Sequence, residues 1–264
     1  MELTEQQRKA EEFHGLHVPG RPLILFNVWD AGSSTTVIKA GARAIATSSW
    51  AVAAANGARD GENLSRALAM ANLARIVEAT SLPVSVDLEA GYGTVTDVGN
   101  TVLCAISAGA VGCNLEDSEP AGRRLRDRSA QTARLRRARR VSETTGVRYF
   151  INARTDVFLE HEVEGCDEAL ATEAIERARA YADAGADGIF VPGLVDVKVI
   201  ARVVQMSPIP VNAMITDESV SVSTLAQVGV SRVSFGALPY VIAMRALERA
   251  AEHAFTQTAD RARV

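Results

Sequence analysis

Cysteine and aromatic side chains are both scarce in this 264-residue chain. The three cysteines, Cys104, Cys113 and Cys166, show no CxxC spacing and cannot all pair within one chain, which speaks against a disulfide framework. No apolar stretch approaches the ~20 residues needed to cross a bilayer, so no membrane span is expected. The opening MELTEQQRKAEEFHG is a charged helical pattern rather than a signal peptide. Reduced thiols and a cytoplasmic location are the expectation that follows. A Pro/Ser-rich linker is missing, as is any break in composition, so a single domain over 1–264 is the economical reading. Also missing is the early GxGxxG loop that an open, doubly wound nucleotide-binding sheet would need. The charge balance, 28 Lys+Arg against 32 Asp+Glu, is slightly acidic and gives no general argument for nucleic-acid binding.

What the chain does contain is a repeating unit. Eight short apolar runs, 23–28, 44–47, 83–88, 111–115, 148–153, 188–191, 210–213 and 232–235, are continuous rather than alternating, as in parallel strands buried on both faces. Helical segments are expected between them at 32–40, 63–80, 96–108, 129–145, 167–184, 196–205, 217–228 and 238–255. Four of these close on related phrases, KAGAR, SAGAV, DAGAD and QVGVS, in which a glycine ends the helix just before the next strand. Eight βα units in this length predict an α/β fold of the (β/α)8 type, and such barrels carry their chemistry at the C-terminal ends of the strands.

Polar residues gather at those ends. The runs finish in Asn27-Val28-Trp29-Asp30, Thr47-Ser48-Ser49-Trp50, Asp87-Leu88-Glu89, Asn114-Leu115-Glu116-Asp117 and Asn152-Ala153-Arg154-Thr155-Asp156, and Asn212 sits near the end of the seventh. Acids and amides form strands poorly and are costly to bury unless paired or bound to a cation. Alternation along a strand would aim Asp87 and Glu89 the same way. Together with Glu116 they form a candidate metal set, for which Mg²⁺ is the best fit and Mn²⁺ the substitute. Glu116 could bind directly, act through water, cap a helix or pair with Arg154. Arg154 itself reads either as the clamp for a substrate carboxylate or as half of a structural ion pair.

In its motifs the sequence resembles the isocitrate lyase / phosphoenolpyruvate mutase superfamily. The matching phrases are FNVWDAGS, ATSSWAVA, NGARDGE, VDLEAGYG, CNLEDS, INARTDVFL, GADGIFVPGL and RVSFGALPY, in order along nearly the whole chain. The resemblance implies a (β/α)8 barrel whose last helix is often swapped with a neighbour in a homodimer or homotetramer. It also implies a Mg²⁺-dependent site for a small 2-oxoacid, where a C–C or P–C bond is made or broken through an enolate. Carried over residue by residue, Asp87 and Glu89 match the metal-side acids, and Glu116 the acid that holds the cation through water. Ser48 and Ser49 match the segment gripping the substrate carboxylate, and Trp29 and Asp30 the wall beside the oxoacid. Asp60 matches a gating-loop acid and Arg154 the substrate arginine.

One departure narrows the chemistry. Isocitrate and methylisocitrate lyases carry a Lys-Lys-Cys-Gly-His loop after the fourth strand, whereas this chain reads EDSEPAGRRLRDRS there. The lysine and asparagine with which the mutase-type members hold a phosphoryl group are missing as well, although Arg123, Arg124 and Arg126 could contact an anion. Cys104, Cys113 and Cys166 are expected to be ordinary buried thiols. None of His14, His17, His161 and His253 is a convincing base, His161 being the nearest to a strand end. Decarboxylation of a substrate such as oxaloacetate needs the least extra machinery, since water can protonate the enolate. The alternatives are P–C bond chemistry, methylisocitrate-type cleavage without the usual cysteine, and a barrel that binds a 2-oxoacid without turnover. Nine arginines between 123 and 140 are expected to form a solvated outer face, because the aromatic interleaving of single-strand binders is missing. A small-molecule substrate is therefore expected, with no nucleic-acid partner. The alanine-rich helix at 238–255 is expected to pack on a second subunit.

Overall fold

The computed structural model describes residues 4–120, 124–159, 168–217 and 220–261, so Arg123, His161 and Cys166 lie outside the described residues. Helix α1 (Glu5–Gly15) precedes β1 (Leu23–Leu25), α2 (Ala31–Lys39), β2 (Ile45–Ala46), α3 (Ser49–Ala55) and α4 (Arg66–Glu78). Then come β3 (Val84–Asp87), α5 (Val95–Ser107), β4 (Gly112–Glu116), α6 (Arg128–Glu143), β5 (Phe150–Arg154) and α7 (Glu168–Asp183). The chain finishes with β6 (Gly188–Phe190), α8 (Val197–Met206), β7 (Val211–Met214), α9 (Val222–Gln227), β8 (Arg232–Ser234) and α10 (Leu238–Arg261).

Every strand pair is parallel, in the order β1-β8-β7-β6-β5-β4-β3-β2. The two ends of this sheet meet at one bridge between Val28 and Thr47. There Val28 N donates to Ala46 O at 2.9 Å and Ser48 N to Val28 O at 3.1 Å. The Asn27 side chain reinforces this seam, donating to Thr47 O and accepting from the amides of Phe235 and Gly236, all at 2.9 Å. The result is a (β/α)8 barrel. Its helix-to-strand turns follow the repeated phrase: Gly41, Gly109, Gly185 and Gly229 all have φ between 88° and 100°, where a Cβ would be strained.

Local chemistry explains where the elements differ from the sequence pattern. Serine side chains set two helix starts, Ser65 capping α4 and Ser221 capping α9, so both begin later than the apolar periodicity suggests. Ser48 caps a short helix, α3, that the pattern did not foreshadow. The charged N-terminal segment is α1, and the chain leaving it plugs the N-terminal end of the barrel. Phe13 meets Phe150 edge-on at 5.5 Å and His17 stacks on the same ring at 4.0 Å. His14 and His17 are thus at the end opposite to the strand termini.

Three outer features bear on function. Arginines of α6 are less solvated than expected: Arg134 is buried and bonds the carbonyls of Gly93 and Ala90, while Arg139 pairs with Asp187. Cys104 is exposed rather than buried, because it faces outward on α5, whereas Cys113 is fully buried in β4. Finally, Ile24 and Phe26 keep 47% and 38% of their surface exposed in an apolar groove of about 400 Å³ between β1 and α2. Along α10, Ile242, Met244, Leu247 and Phe255 are exposed too. No helix among the described residues is long and apolar enough to cross a membrane.

Candidate active site at the strand ends

A cavity of about 150 Å³ opens at the C-terminal ends of the strands. Ser48, Ser49, Trp50, Asp60, Asp87, Asn114, Arg154, Phe190 and Ser234 are among its lining residues. A second chamber of about 210 Å³ shares Asp60, Arg154 and Leu159 with it and adds Glu116, Ser118, Glu119 and Asp156. The apolar groove beside β1 is larger but lies on the outer face, away from these polar groups.

Asp87 ends β3 and is held by its neighbours: Ser49 Oγ donates to its Oδ2 at 2.9 Å, and Thr47 Oγ1 accepts from its backbone N–H at 2.9 Å. Across the cavity Arg154 ends β5. Its Nε and Nη2 donate to the two oxygens of Asp156 at 2.6 and 3.1 Å, and Nη1 pairs with Glu116 at 2.9 Å. A guanidinium has five N–H donors. Three are engaged, which leaves two for a ligand while the fork is held rigid. Arg154 is thus ion-paired, and it still faces both chambers.

Behind Asp156 stands a buried support. Its N–H donates to Asp117 Oδ1 at 3.0 Å, and Asp117 Oδ2 accepts from Tyr181 Oη at 2.7 Å and from Arg177 at 3.0 Å. Ser118 Oγ donates to Asp156 Oδ2 at 2.7 Å. The sequence hinted at this only through Arg177 and Tyr181, four apart and so on one side of α7.

Glu89 shares a small chamber with Asp87, but strand alternation is not what places it there. Alternation stops when β3 ends at Asp87, and Glu89 has φ 51°, which turns it toward the loop before α4. Its Oε2 accepts from the amides of Gly61, at 2.8 Å, and Glu62, and Tyr92 Oη donates to its Oε1 at 3.2 Å. Glu62 and Tyr92, with φ 61° and 58°, are the other non-glycine residues with positive φ among those described. All three meet in this one contact, a concentration of backbone strain typical of functional loops.

Asp60, Asp87, Glu116 and Asp156 crowd around Arg154, with Glu89 beside Asp60 and Asp87. Burial, together with Asp60 and Asp87, pushes Glu89 up to about 7. Burial and the neighbouring acids also raise Glu116 well above the carboxylate range, with Arg154 opposing. Asp60 keeps an exposed edge, yet desolvation of its carboxyl and the charge of Asp87 raise it too. Arg154 is held charged by Glu116 and Asp156 against the cost of its burial. Among the described residues no three acid, histidine or cysteine side chains gather closely enough to enclose a metal. The donor set nevertheless fits a hard divalent cation in type and charge: it is all oxygen, with more acids than one arginine neutralises. Mg²⁺ commonly takes only one or two carboxylates and completes its shell with water and substrate.

The remaining expected residues are distributed unevenly. Ser48 lines the cavity while its Oγ caps α3. Trp29 lies beside it, edge-on to Tyr240 at 5.1 Å and packed on Val52 and Leu64, and the tryptophan lining the cavity is Trp50. Asp30 is occupied as the cap of α2, accepting from Ser33 N at 2.6 Å in a capping box. Asn212 is buried below the cavity, bonded to Ser234 at 3.1 Å. Cys113 is pushed up to about 12 by burial and is inert. The described lining of both chambers contains no cysteine, histidine or lysine.

Comparison with known proteins adds the context. A family model described as phosphoenolpyruvate phosphomutase matches residues 13–255. A crystal structure from Burkholderia cenocepacia J2315, described provisionally as a phosphonomutase, is similar with a TM-score of 0.92 and 50% identity, covering 94% of this chain and 99% of that one. The 2-methylisocitrate lyase of Escherichia coli (strain K12) is 30% identical over 260 residues, 91% of this chain and 84% of that protein. An uncharacterized protein of Mycobacterium tuberculosis (strain ATCC 25618 / H37Rv) is 33% identical over 239 residues, 90% of this chain and 87% of that protein.

Proposed function

The chain belongs to the phosphoenolpyruvate phosphomutase family, within the isocitrate lyase / phosphoenolpyruvate mutase superfamily, and from that membership we propose a Mg²⁺-dependent lyase that cleaves a C–C bond of a small 2-oxo diacid through an enolate. The preferred reaction is decarboxylation of an oxaloacetate-like substrate. One observation carries this choice: the described lining offers rigid anion and cation ligands but no cysteine, histidine or lysine to act as acid or base. Loss of CO₂ needs no protonated leaving group, and water can protonate the enolate carbon.

Each residue then has a task. The two unengaged N–H groups of Arg154 bind the substrate carboxylate, their direction fixed by Asp156 and Glu116. Asp87, oriented by Ser49, would hold the metal together with Glu89 and Glu116. When bound, the cation supplies Lewis acidity toward the 2-oxo and carboxylate oxygens. Ser48 and Trp50 bound the substrate on the side of α3, and Asp60, raised by burial and by the charge of Asp87, reaches both chambers.

P–C bond chemistry is the second reading, favoured by the 50% identity to the Burkholderia protein described as a phosphonomutase. Arg123, the residue expected to meet a distal anion, belongs to the undescribed segment. A methylisocitrate-type cleavage is the third, and a binding barrel without turnover the fourth. The assembly we propose is a homodimer or homotetramer in which α10 covers the groove beside β1 of a neighbour, since both are apolar and exposed in the single chain.

The deciding experiment measures Mg²⁺-dependent release of pyruvate from oxaloacetate, methylisocitrate and phosphonopyruvate, with CO₂, succinate and phosphate as the second products. Oxaloacetate turnover that disappears in a folded Asp87→Ala variant supports the lyase. Phosphate release from phosphonopyruvate alone selects the second reading, and succinate release from methylisocitrate the third. Oxalate binding without any turnover selects the binding barrel.

A further inference from the structure

The interior of this barrel is polar where such barrels are normally filled with Val, Ile and Leu. Asn114, Asn152, Asn212, Ser234 and Arg232 are all buried there, directly beneath the cavity. Asn212 and Ser234 satisfy one another. The other three form a directed chain. Asn152 Nδ2 donates to Asn114 Oδ1 at 2.9 Å, and Arg232 Nη2 donates to the same oxygen at 3.1 Å. Gly188 makes room for it, because a Cβ there would stand 2.8 Å from Asn152 Oδ1.

Two donors on one amide oxygen determine which way the amide faces. The Asn114 nitrogen must then point away from Arg232 and Asn152. It has no hydrogen-bond partner among the described residues, and Asn114 lines the cavity that holds Asp87 and Arg154. Arg232 is itself anomalous. It is 1% exposed, no ion pair is found for it among the described residues, and its Nε and Nη1 have no hydrogen-bond partner there. Burial pulls it down to about 9, with Asp87 the leading charge opposing that fall. An unpaired buried guanidinium is costly to stability, and an apolar residue of similar volume would usually serve a core better. Its retention beneath an anion-binding cavity asks for a functional reason.

We propose that Asn114 is a further substrate-contacting residue, its amide nitrogen donating to an anionic oxygen of the bound 2-oxoacid, and that Arg232 is the positioning residue that orients and polarises it from below. The inference rests on the 2-oxoacid reading above. It extends that reading by giving the floor of the site a neutral donor backed by a positive charge. Such a donor strengthens as negative charge develops on the substrate oxygen, and it needs no proton transfer.

The test uses oxalate, a planar dianion that mimics an enolate of pyruvate, titrated calorimetrically into the full chain with saturating Mg²⁺. Asn114→Leu is expected to weaken oxalate at least tenfold, the factor that about 1.4 kcal/mol makes in an equilibrium constant. Arg232→Met is expected to weaken it by a similar factor while raising Tm, since an unpaired buried charge is removed. Arg232→Lys, which keeps the charge, should recover part of the loss. In the double variant the two effects should be strongly non-additive, because Arg232 acts through Asn114. Wild-type oxalate affinity in either single variant overturns the proposal, as does full additivity in the double variant. Tm falling together with affinity in Arg232→Met makes Arg232 a structural residue and overturns its positioning role. A wild-type protein that binds no oxalate overturns the 2-oxoacid reading itself, an outcome distinct from the others.

Discussion

Replacing Arg154 by lysine keeps a positive charge among four acids and removes the geometry. In the native site the guanidinium spends Nε and Nη2 on Asp156 and Nη1 on Glu116, and offers its two remaining N–H groups to the ligand. A lysine ammonium has three donors on one atom and cannot span Asp156, Glu116 and a substrate carboxylate at once. A hydrogen bond to a charged group contributes about 1.5–3 kcal/mol, so losing two to the substrate would cost roughly 3–6 kcal/mol. The retained charge offsets part of this. The expected net loss is about 3 kcal/mol, or on the order of 10²-fold in kcat/KM. The assay is the initial rate of pyruvate release from whichever substrate the panel selects, with urea unfolding run in parallel to confirm a folded variant. A fall in kcat and kcat/KM together would place the Arg154 bonds in the transition state, whereas a rise in KM alone would mean uniform binding. A variant within about threefold of wild type in kcat/KM, a difference under 1 kcal/mol, would refute the clamp.

Other consequences can be measured separately. Arg177→Met leaves Asp117, fully buried, without its ion-pair partner, and should lower stability by about 3–5 kcal/mol; an unchanged urea midpoint would show that the network behind Asp156 is dispensable. Glu89 is raised from 4.5 to about 7, so the native state binds more protons than the unfolded chain across that window and stability should fall as pH rises through it. The effect is on the order of 3 kcal/mol and should shrink in Glu89→Gln or with added Mg²⁺, and Tm against pH in chelator reads it. Sedimentation at micromolar concentration should show a dimer or tetramer, and Phe26→Asp, in the groove beside β1, should release monomers; a wild-type monomer would remove the α10 exchange.

The barrel was legible because all its strands but β1 are buried on both faces and its helix ends repeat one glycine phrase. Asp87 and Arg154 were legible for a related reason, since an acid or a guanidinium at the end of an apolar run has few structural uses. Glu89 shares a chamber with Asp87 through a left-handed backbone rather than through strand alternation, which ends at Asp87. Trp29 and Asp30 have their own local partners in the structure, Asp30 through a capping box already visible in the spacing of Asp30 and Ser33. Asn114 and Arg232 could not be singled out, because one polar residue inside a strand gives no sign of which others meet it across a barrel. The seclusion of Arg134 and Arg139 depends likewise on carbonyls and an acid of neighbouring loops.

The barrel also has a weak line. Seven of its eight strand junctions are ladders, but between β1 and β2 only one bridge and the side chain of Asn27 hold the wall together. Ser48 and Ser49 follow that junction directly, and Ser49 grips Asp87. The cavity is lined by Asn27 on one side of that gap and by Ser48 and Ser49 on the other, so a ligand touching both acts as a clasp across it. Ligand should protect the amides of Val28 and Ser48 from hydrogen exchange more than those of the β4–β5 ladder, which is already complete. Occupancy of the site would then be readable at its wall, before any product is formed.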